Sequence, residues 1–429
     1  MKRVYRHVNI LDGTKDMKLS QEQMIVTENG IIMDILPDSD TGLSELNCNG
    51  GYLIPGLINM HVHTPGTGFP KKRHTDTRKL ARFVKSNPLT MMYAHKMCRD
   101  SIQTHLMSGT TTIRTVGGLK HLDGKIRDEI AKGKYPGPRV FSCDEALTVP
   151  GGHMEGSVAF GADSTEAFVK HITDNKAHNV DWIKLMITGG VLDAKVKGGP
   201  GELKMTPEQV ALCTGKAHEL GLKVCAHVES PEGIRVALEN GVDCIEHGSY
   251  VSDEVLRLFR EKKAVLICTL SPAIPLAKFD PEITKADEIV RYNSEYLLEG
   301  IIAGTKRCLE AGVKVGVGTD TACPFITQYD FWRELEYMHY LLGLPRNEVL
   351  YMATLNNAEI LGISEITGSI EKGKKAEFVV TEKDPLEGFD TLRGPSLVVM
   401  GEHEIKDPVI RKSEEAERLL DDYLSGIRD

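Results

Sequence analysis

The chain has 429 residues, of which 26% are charged and 41% hydrophobic, and these fractions are ordinary for a globular enzyme. Its net charge of −9 and its pI near 6.0 argue against nucleic acid as a partner, because phosphate backbones attract basic surfaces. No apolar run reaches the length of about eighteen residues that a membrane span needs, so we expect no membrane partner. The nine cysteines form no CxxC pair and no apolar leader segment opens the chain, so we expect a cytoplasmic protein.

Short strand-like segments separated by turns occupy both ends of the chain. They lie at residues 3–10, 23–28 and 30–35, and again at 368–370, 376–381 and 397–400. The simplest assembly is a small β-sandwich built from residues 1–54 together with residues 366–429. A charged amphipathic helix at 413–427 is expected to pack on the outside of the protein.

The central residues, 55–365, alternate β-rich runs with segments of helical periodicity. Three of the helical segments, 207–220, 231–240 and 253–262, follow one another closely, and Gly221 and Gly241 stand where two of them end, as helix C-caps do. The β-rich runs number eight: 57–63, 111–116, 139–143, 182–188, 223–227, 244–247, 265–269 and 314–319. Eight such alternations predict an α/β fold, a (β/α)8 TIM-like barrel inserted between the two halves of the sandwich.

Two histidines, His61 and His63, stand at the end of an apolar run, residues 52–60, that is typical of a buried strand. Side chains alternate along a strand, so residues at i and i+2 point to the same side. Two imidazoles aimed one way from a strand end can bind one cation, and packing alone gives a short strand no reason to hold them.

More residues of ligand type follow, each on its own apolar run. His227 and His247 end the fifth and sixth runs, Asp320 follows the eighth, and Lys184 lies within the fourth. Barrel enzymes carry their chemistry at the C-terminal ends of the strands, so we expect all six side chains to meet at one mouth. Imidazoles and a carboxylate favour Zn²⁺, with Mn²⁺, Co²⁺ or Fe²⁺ as alternatives.

Four histidines and one aspartate are one or two ligands short for two ions, and a bridging anion is the usual remedy. Lys184 has two interpretations here. It either pairs with Asp320 or another acid in the barrel mouth, or it reacts with CO₂ to form a carbamate that bridges two metals. A bare ammonium in an apolar strand would cost several kcal/mol of desolvation.

Five segments carry a resemblance to a known family. They are residues 55–63 (PGLINMHVH), 183–190 (IKLMITGG), 241–248 (GVDCIEHG), 318–320 (GTD) and 368–380 (GSIEKGKKAEFVV). In their order and spacing they resemble the amidohydrolase superfamily, nearly end to end. Within it the chain most resembles the prolidase-like and Xaa-Arg (Lys) carboxypeptidase-like group, whose members carry a carboxylated lysine.

The resemblance implies a cofactor of two divalent metal ions, preferably Zn²⁺. His61, His63 and Asp320 would hold one ion, His227 and His247 the other, and the carbamate of Lys184 would bridge them. A metal-bound hydroxide would then cleave an amide or peptide C–N bond, with Asp320 as general base and then acid. The expected substrate is a small molecule, a dipeptide or N-acyl amino acid with a free carboxylate, and we expect a homo-oligomer.

Three further residues are candidates for contacts with substrate. His153, in a loop after the third strand, fits the resemblance as a partner of the scissile carbonyl or of a product carboxylate, and is otherwise an ordinary loop histidine. Tyr250 follows His247 by three residues and is either a substrate contact or a packing aromatic. Glu229, two residues after His227, also suits a deaminase or cyclic-amide hydrolase of the imidazolonepropionase-like kind, although Lys184 favours the two-metal type. A non-catalytic metal-binding scaffold is the third alternative.

Overall fold

The computed structural model of the protein describes residues 2–42, 45–70 and 76–428. In chain order the strands are β1 (Lys2–Leu11), β2 (Leu19–Glu28), β3 (Ile31–Pro37), β4 (Glu45–Pro55), β5 (Leu57–Val62), β6 (Thr110–Thr115), β7 (Arg139–Ser142), β8 (Ala146–Thr148), β9 (Ala159–Gly161), β10 (Trp182–Met186), β11 (Lys223–Val228), β12 (Cys244–His247), β13 (Val265–Cys268), β14 (Val315–Val317), β15 (Glu377–Thr381), β16 (Leu397–Met400) and β17 (His403–Lys406). The helices are α1 (Thr77–Ser86), α2 (Pro88–Met107), α3 (Leu122–Ala131), α4 (Thr165–Ala177), α5 (Pro207–Glu219), α6 (Pro231–Glu239), α7 (Asp253–Lys262), α8 (Ala273–Lys278), α9 (Pro281–Thr284), α10 (Glu288–Glu310), α11 (Phe331–Leu342), α12 (Arg346–Tyr351), α13 (Asn357–Leu361) and α14 (Glu414–Arg428), with a π-helical turn at Met352–Asn356 and a 3-10 turn at Phe389–Arg393. Among the described residues, no helix combines the length and apolar character that a membrane span requires.

Both ends of the chain contribute to one seven-stranded sheet, in the order β17-β16-β15-β4-β1-β2-β3. β1 and β4 run parallel, and the other neighbours run antiparallel. Tyr5 and Phe378 pack edge to face in its core, with ring centroids 5.0 Å apart. The two ends of the chain, which were predicted to form a small β-sandwich together, thus pair with each other in this sheet.

Eight parallel strands form the barrel: β5, β6, β7, β10, β11, β12, β13 and β14. The amide of Asp181 donates to Ser142 O at 2.8 Å and joins β7 to β10. The amide of Asp320 donates to His61 O at 2.8 Å and joins the end of β14 to β5. The predicted (β/α)8 barrel is confirmed, and each of its eight β-rich runs contains a barrel strand. β8 and β9, which extend the wall beside β10, were not predicted.

The long apolar run at residues 52–60 is not one strand, as predicted, but two. Gly56 is the break: its amide donates to Glu377 O in the terminal sheet at 2.9 Å, and the next amide, of Leu57, donates to Gly109 O in the barrel at 3.0 Å. A side chain at Gly56 would overlap Thr111, so only glycine allows the chain to change sheets here. The predicted strand at 368–370 is also wrong, because Gly368 adopts a φ of +93° and turns the chain.

Candidate metal centre

His61, His63 and Asp320 meet at the mouth of the barrel. One carboxylate oxygen, Asp320 Oδ1, lies 3.4 Å from His61 Nε2 and 3.2 Å from His63 Nε2. Asp320 has a φ of +57°, a conformation that costs free energy for a non-glycine residue and recurs at functional sites. Burial alone would raise the pKa of Asp320, but His61 and His63 outweigh it and hold the pKa well below its usual value. The side chain is therefore a carboxylate at neutral pH.

His227 and His247 line the same mouth, on the neighbouring strands β11 and β12. Their ring centroids are 4.8 Å apart, and His247 lies 4.9 Å from His61. The Nδ1 atom of His247 is 2.7 Å from the hydroxyl oxygen of Thr269, which orients the ring. Burial lowers the pKa of both histidines well below the usual value. Both imidazoles are therefore neutral and have a lone pair for a metal.

Lys184 is fully buried beneath these rings, with 1% of its surface exposed. Its charge helps to lower the pKa values of His227 and His247, so it lies close to both. Among the described residues, Lys184 Nζ has no hydrogen-bond partner, and neither has His227 Nε2. The described contacts include no hydrogen bond between Lys184 and Asp320. The other acid nearby is Glu246, whose pKa is lowered against burial by Arg114 first and by Lys184 second.

The donor set can hold a cation. His61, His247 and Asp320 each offer one ligand atom, and these atoms lie within 4.8 Å of one another. His63 Nε2 also lies 3.2 Å from Asp320 Oδ1. Imidazole nitrogens, a carboxylate and two buried nitrogens without partners are a set that divalent metals of the zinc type bind well.

Two buried charges that the sequence reasoning missed hold His61 in place. Glu246 Oε2 accepts from His61 Nδ1 at 2.7 Å, and Glu246 Oε1 pairs with Arg114. Arg114 also donates from Nε to Met60 O at 2.8 Å and stacks over Trp182 at 4.8 Å. Because Nδ1 carries the proton that Glu246 accepts, Nε2 of His61 is left with its lone pair toward the centre. The available signal was a charged residue inside each of two short β-rich runs, 111–116 and 244–247.

His153 lies beside the histidine cluster. Its ring stacks on His227, with centroids 4.1 Å apart and planes 11° from parallel. Nδ1 of His153 pairs with Asp193, whose carboxylate also accepts from the Gly190 amide at 3.0 Å. Burial opposes ionisation of Asp193, but the contact with His153 outweighs it and lowers the pKa of Asp193. A Cβ atom at Gly190 would come within 2.7 Å of the His153 ring, so glycine leaves the ring its space.

Tyr250 is less closely joined to the centre. Its ring packs on α10, against Tyr296 at a centroid distance of 4.7 Å, and a Cβ at Gly300 would come within 2.7 Å of it. In the part of the chain that the structure describes, no hydrogen bond, ion pair or ring contact joins Tyr250 to the six ligand-type side chains. The backbone of Tyr250 donates to Gly300 O at 3.0 Å, which fixes the loop after β12 on α10.

Glu229 is nine-tenths buried and lies next to His227. Its Oε1 is 3.7 Å from His227 Nε2, and Oε2 has no hydrogen-bond partner among the described residues. Burial raises the pKa of Glu229 well above its usual value, and the charges of Asp320 and Asp193 act in the same direction.

Comparison with known proteins identifies the family. The model of the amidohydrolase family matches residues 52–412, which include the barrel and every residue of the cluster. The chain belongs to the amidohydrolase family. The centre at the mouth of its barrel thus belongs to a hydrolase that acts on carbon–nitrogen bonds.

Three similar proteins of this family have been described. A structure from Bifidobacterium longum, provisionally described as a prolidase, is 32% identical, covers 98% of each chain and superposes with a TM-score of 0.85. A Xaa-Pro dipeptidase with methionine bound in its active site is 26% identical, covers 96% of this chain and 100% of its own, and has a TM-score of 0.81. The ochratoxinase of Aspergillus niger is 25% identical over 81% of this chain and 73% of its own length. The predicted resemblance to prolidase-like amidohydrolases is confirmed.

Proposed function

We propose that this amidohydrolase releases an amino acid from a dipeptide or N-acyl amino acid that carries a free carboxylate, with two divalent metal ions as cofactor. The observation that carries the proposal is Lys184, a buried amine whose Nζ has no hydrogen-bond partner among the described residues and which lies close to the metal-type ligands His227 and His247. The predicted partners belong to the same proposal: a small-molecule substrate, and a homo-oligomer in the cytoplasm.

His61, His63 and Asp320 would hold one ion, and His227 and His247 the other. Lys184 would bridge them as a carbamate, in which the neutral Nζ forms a bond to the carbon of CO₂ and loses one proton to solvent. The metal ions, preferably Zn²⁺, would supply Lewis-acid chemistry that activates water and polarises the scissile carbonyl. This assignment is supported by the neutral state of the buried imidazoles of His227 and His247, which leaves each ring a lone pair for a metal.

Asp320 is proposed as the group that moves the proton. Its carboxylate, held in the ionised state by His61 and His63, can accept a proton from the attacking water. The same oxygen can then return the proton to the nitrogen of the leaving amine. The products are a carboxylic acid and an amine, and in a dipeptide the amine is the released amino acid.

His153 and Tyr250 are proposed to bind the substrate carboxylate. The pairing of His153 Nδ1 with Asp193 leaves Nε2 as the ring nitrogen available to a ligand, next to the ring of His227. Tyr250 lies in the loop after β12, packed on Tyr296 of α10, and would reach the substrate from that loop. The prolidase and dipeptidase descriptions of two relatives agree with a substrate of this kind.

The test is a dipeptide library incubated with the purified enzyme and read by mass spectrometry, with each peptide also supplied as its C-terminal amide. Free acids are expected to be cleaved far better than amides. The side chains that bind the substrate carboxylate are left without a partner when an amide replaces it. His153→Ala and Tyr250→Phe should each reduce the preference. Equal rates on acids and amides would overturn the proposed substrate.

A second candidate function rests on Glu229. A carboxyl two residues after a metal-type histidine suits a deaminase or a hydrolase of a cyclic amide, in which it would move the proton. In the same experiment, ammonia release or ring opening without peptide cleavage would favour that function. A metal-binding scaffold without activity would return every library member unchanged.

A further inference from the structure

Glu229 has a fixed backbone and a carboxylate oxygen, Oε2, without a hydrogen-bond partner among the described residues. Its amide donates to the hydroxyl of Thr188 at 3.1 Å, and Gly201 of the loop 189–204 covers it so closely that a Cβ there would come within 2.7 Å of Glu229 O. Ser230, the next residue, donates to Gly201 O at 2.7 Å. The side chain is 8% exposed, yet Oε2 accepts no hydrogen bond from any described residue. Burial of a carboxylate is unfavourable unless something binds it.

The other carboxylates of the mouth differ from Glu229 in this respect. Glu246 uses one oxygen for Arg114 and the other for His61. Asp320 lies against two histidines, and Asp193 is held by His153 and a backbone amide. Among the described residues, the one basic side chain within 4 Å of the Glu229 carboxylate is His227, at 3.7 Å, a neutral imidazole that we assign to a metal. The cation that Glu229 lacks is therefore not supplied by the described part of this chain.

Glu229 also lies where one particular part of a substrate must be. His227 and Glu229 are on the same side of an extended strand, because side chains alternate along it. A substrate whose carbonyl is at the metal ligands and whose carboxylate is at His153 presents its acyl side to the remaining wall. In a dipeptide the protonated α-amino nitrogen is two bonds from the scissile carbonyl carbon, so a carboxylate beside His227 is within its reach.

We infer that Glu229 binds the ammonium group of the acyl residue, so that the enzyme prefers dipeptides with a free N-terminus over N-acyl amino acids. The inference rests on the proposed function and narrows its substrate class. An ion pair with a charged hydrogen bond in a buried site should favour a substrate that carries the ammonium group over one that lacks it by about 10- to 100-fold.

The experiment uses matched pairs: a set of glycyl dipeptides, and the N-acetyl amino acids that differ from them only by the missing amino group. The metal-loaded wild-type enzyme is expected to favour each dipeptide by about tenfold or more in kcat/KM. Glu229→Gln keeps the shape and removes the charge, and it should shrink that ratio to near one, mainly through KM. Glu202→Gln is the control, since Glu202 is in the covering loop but is 70% exposed and pairs with Lys204 at 2.6 Å. It should leave the ratio unchanged.

Several outcomes would overturn the inference. Equal rates on the two members of each pair would do so, and so would a Glu229→Gln variant that slows both members by the same factor, as expected of a proton carrier. Loss of metal from Glu229→Gln, measured by elemental analysis, would make Glu229 a ligand and would also overturn it. If no member of either set releases an amino acid, the proposed function itself fails, and the inference with it.

Discussion

Removal of the Arg114 charge should destabilise the barrel severely. Arg114 and Glu246 are both 0% exposed and pair directly with each other, and Glu246 also accepts from His61. In Arg114→Met the side chain keeps much of its apolar volume, while the buried Glu246 carboxylate loses the guanidinium that pairs with it. Breaking a buried ion pair from one side costs about 3–5 kcal/mol.

The melting temperature reports that cost. Unfolding entropy is roughly 2.1 cal/mol/K per residue, or about 0.9 kcal/mol/K for 429 residues, so we expect Tm to fall by about 3–6 °C. Differential scanning calorimetry of the metal-free protein measures this without a contribution from bound metal. The control is Arg235→Met, which removes an exposed arginine paired with Glu232 at 2.7 Å and Glu239 at 2.6 Å. Its Tm should move by less than about 1 °C, because exposed ion pairs contribute little.

A double variant tests the physical reason. Glu246→Gln in the Arg114→Met background removes the unpaired charge and should recover part of the lost Tm. The reasoning is refuted if Arg114→Met melts within the range of the Arg235→Met control, or if the double variant melts lower than Arg114→Met.

Three other predictions concern the acids around the centre. Asp320→Asn keeps the shape of the side chain and removes the base, so kcat should fall about 100-fold or more in a steady-state assay, and near-normal turnover would disprove the assigned role. Burial, followed by the charge of Asp144, raises the pKa of Asp123 to about 7, so folding takes up a proton between the unfolded pKa and pH 7. Stability should therefore fall as pH rises from about 4 to 7, and Asp123→Asn should flatten the curve of Tm against pH; parallel curves for the two proteins would contradict this. Glu229→Gln should raise Tm, because it removes a buried carboxylate whose Oε2 has no hydrogen-bond partner among the described residues, and a lower Tm would show that the carboxylate is stabilised in the folded protein.

The barrel was predictable because its signals are local. Each β-rich run ends near a ligand-type or turn residue. The start of a helix can be predicted from a few residues, as at Thr206, whose side chain caps the Gln209 amide. The break at Gly56 was not predictable from hydrophobicity, since both sides of it are apolar and buried. It depends on close packing against Thr111, which is distant in sequence.

The site was predictable in part for the same reason. The i, i+2 spacing of His61 and His63 indicates a metal site. The positions of the other ligand-type residues on predicted strands indicate the same site. The partnership of Arg114 with Glu246 joins residues 132 positions apart, so only the closed barrel reveals it. The position of the Tyr250 ring depends on the space that Gly300 leaves on α10. Its prediction rested only on its place three residues after His247, which does not reveal that contact.

The most direct test of the central claim, two metal ions bridged by a carboxylated Lys184, is the metal content of the enzyme. Protein prepared with added Zn²⁺ and bicarbonate is expected to contain close to two equivalents per chain by elemental analysis, and Lys184→Ala close to one or less. Short-chain carboxylic acids that fill the gap should partly restore the second ion in the variant. A wild-type value firmly at one equivalent, or an unchanged value of two in Lys184→Ala, would contradict the account.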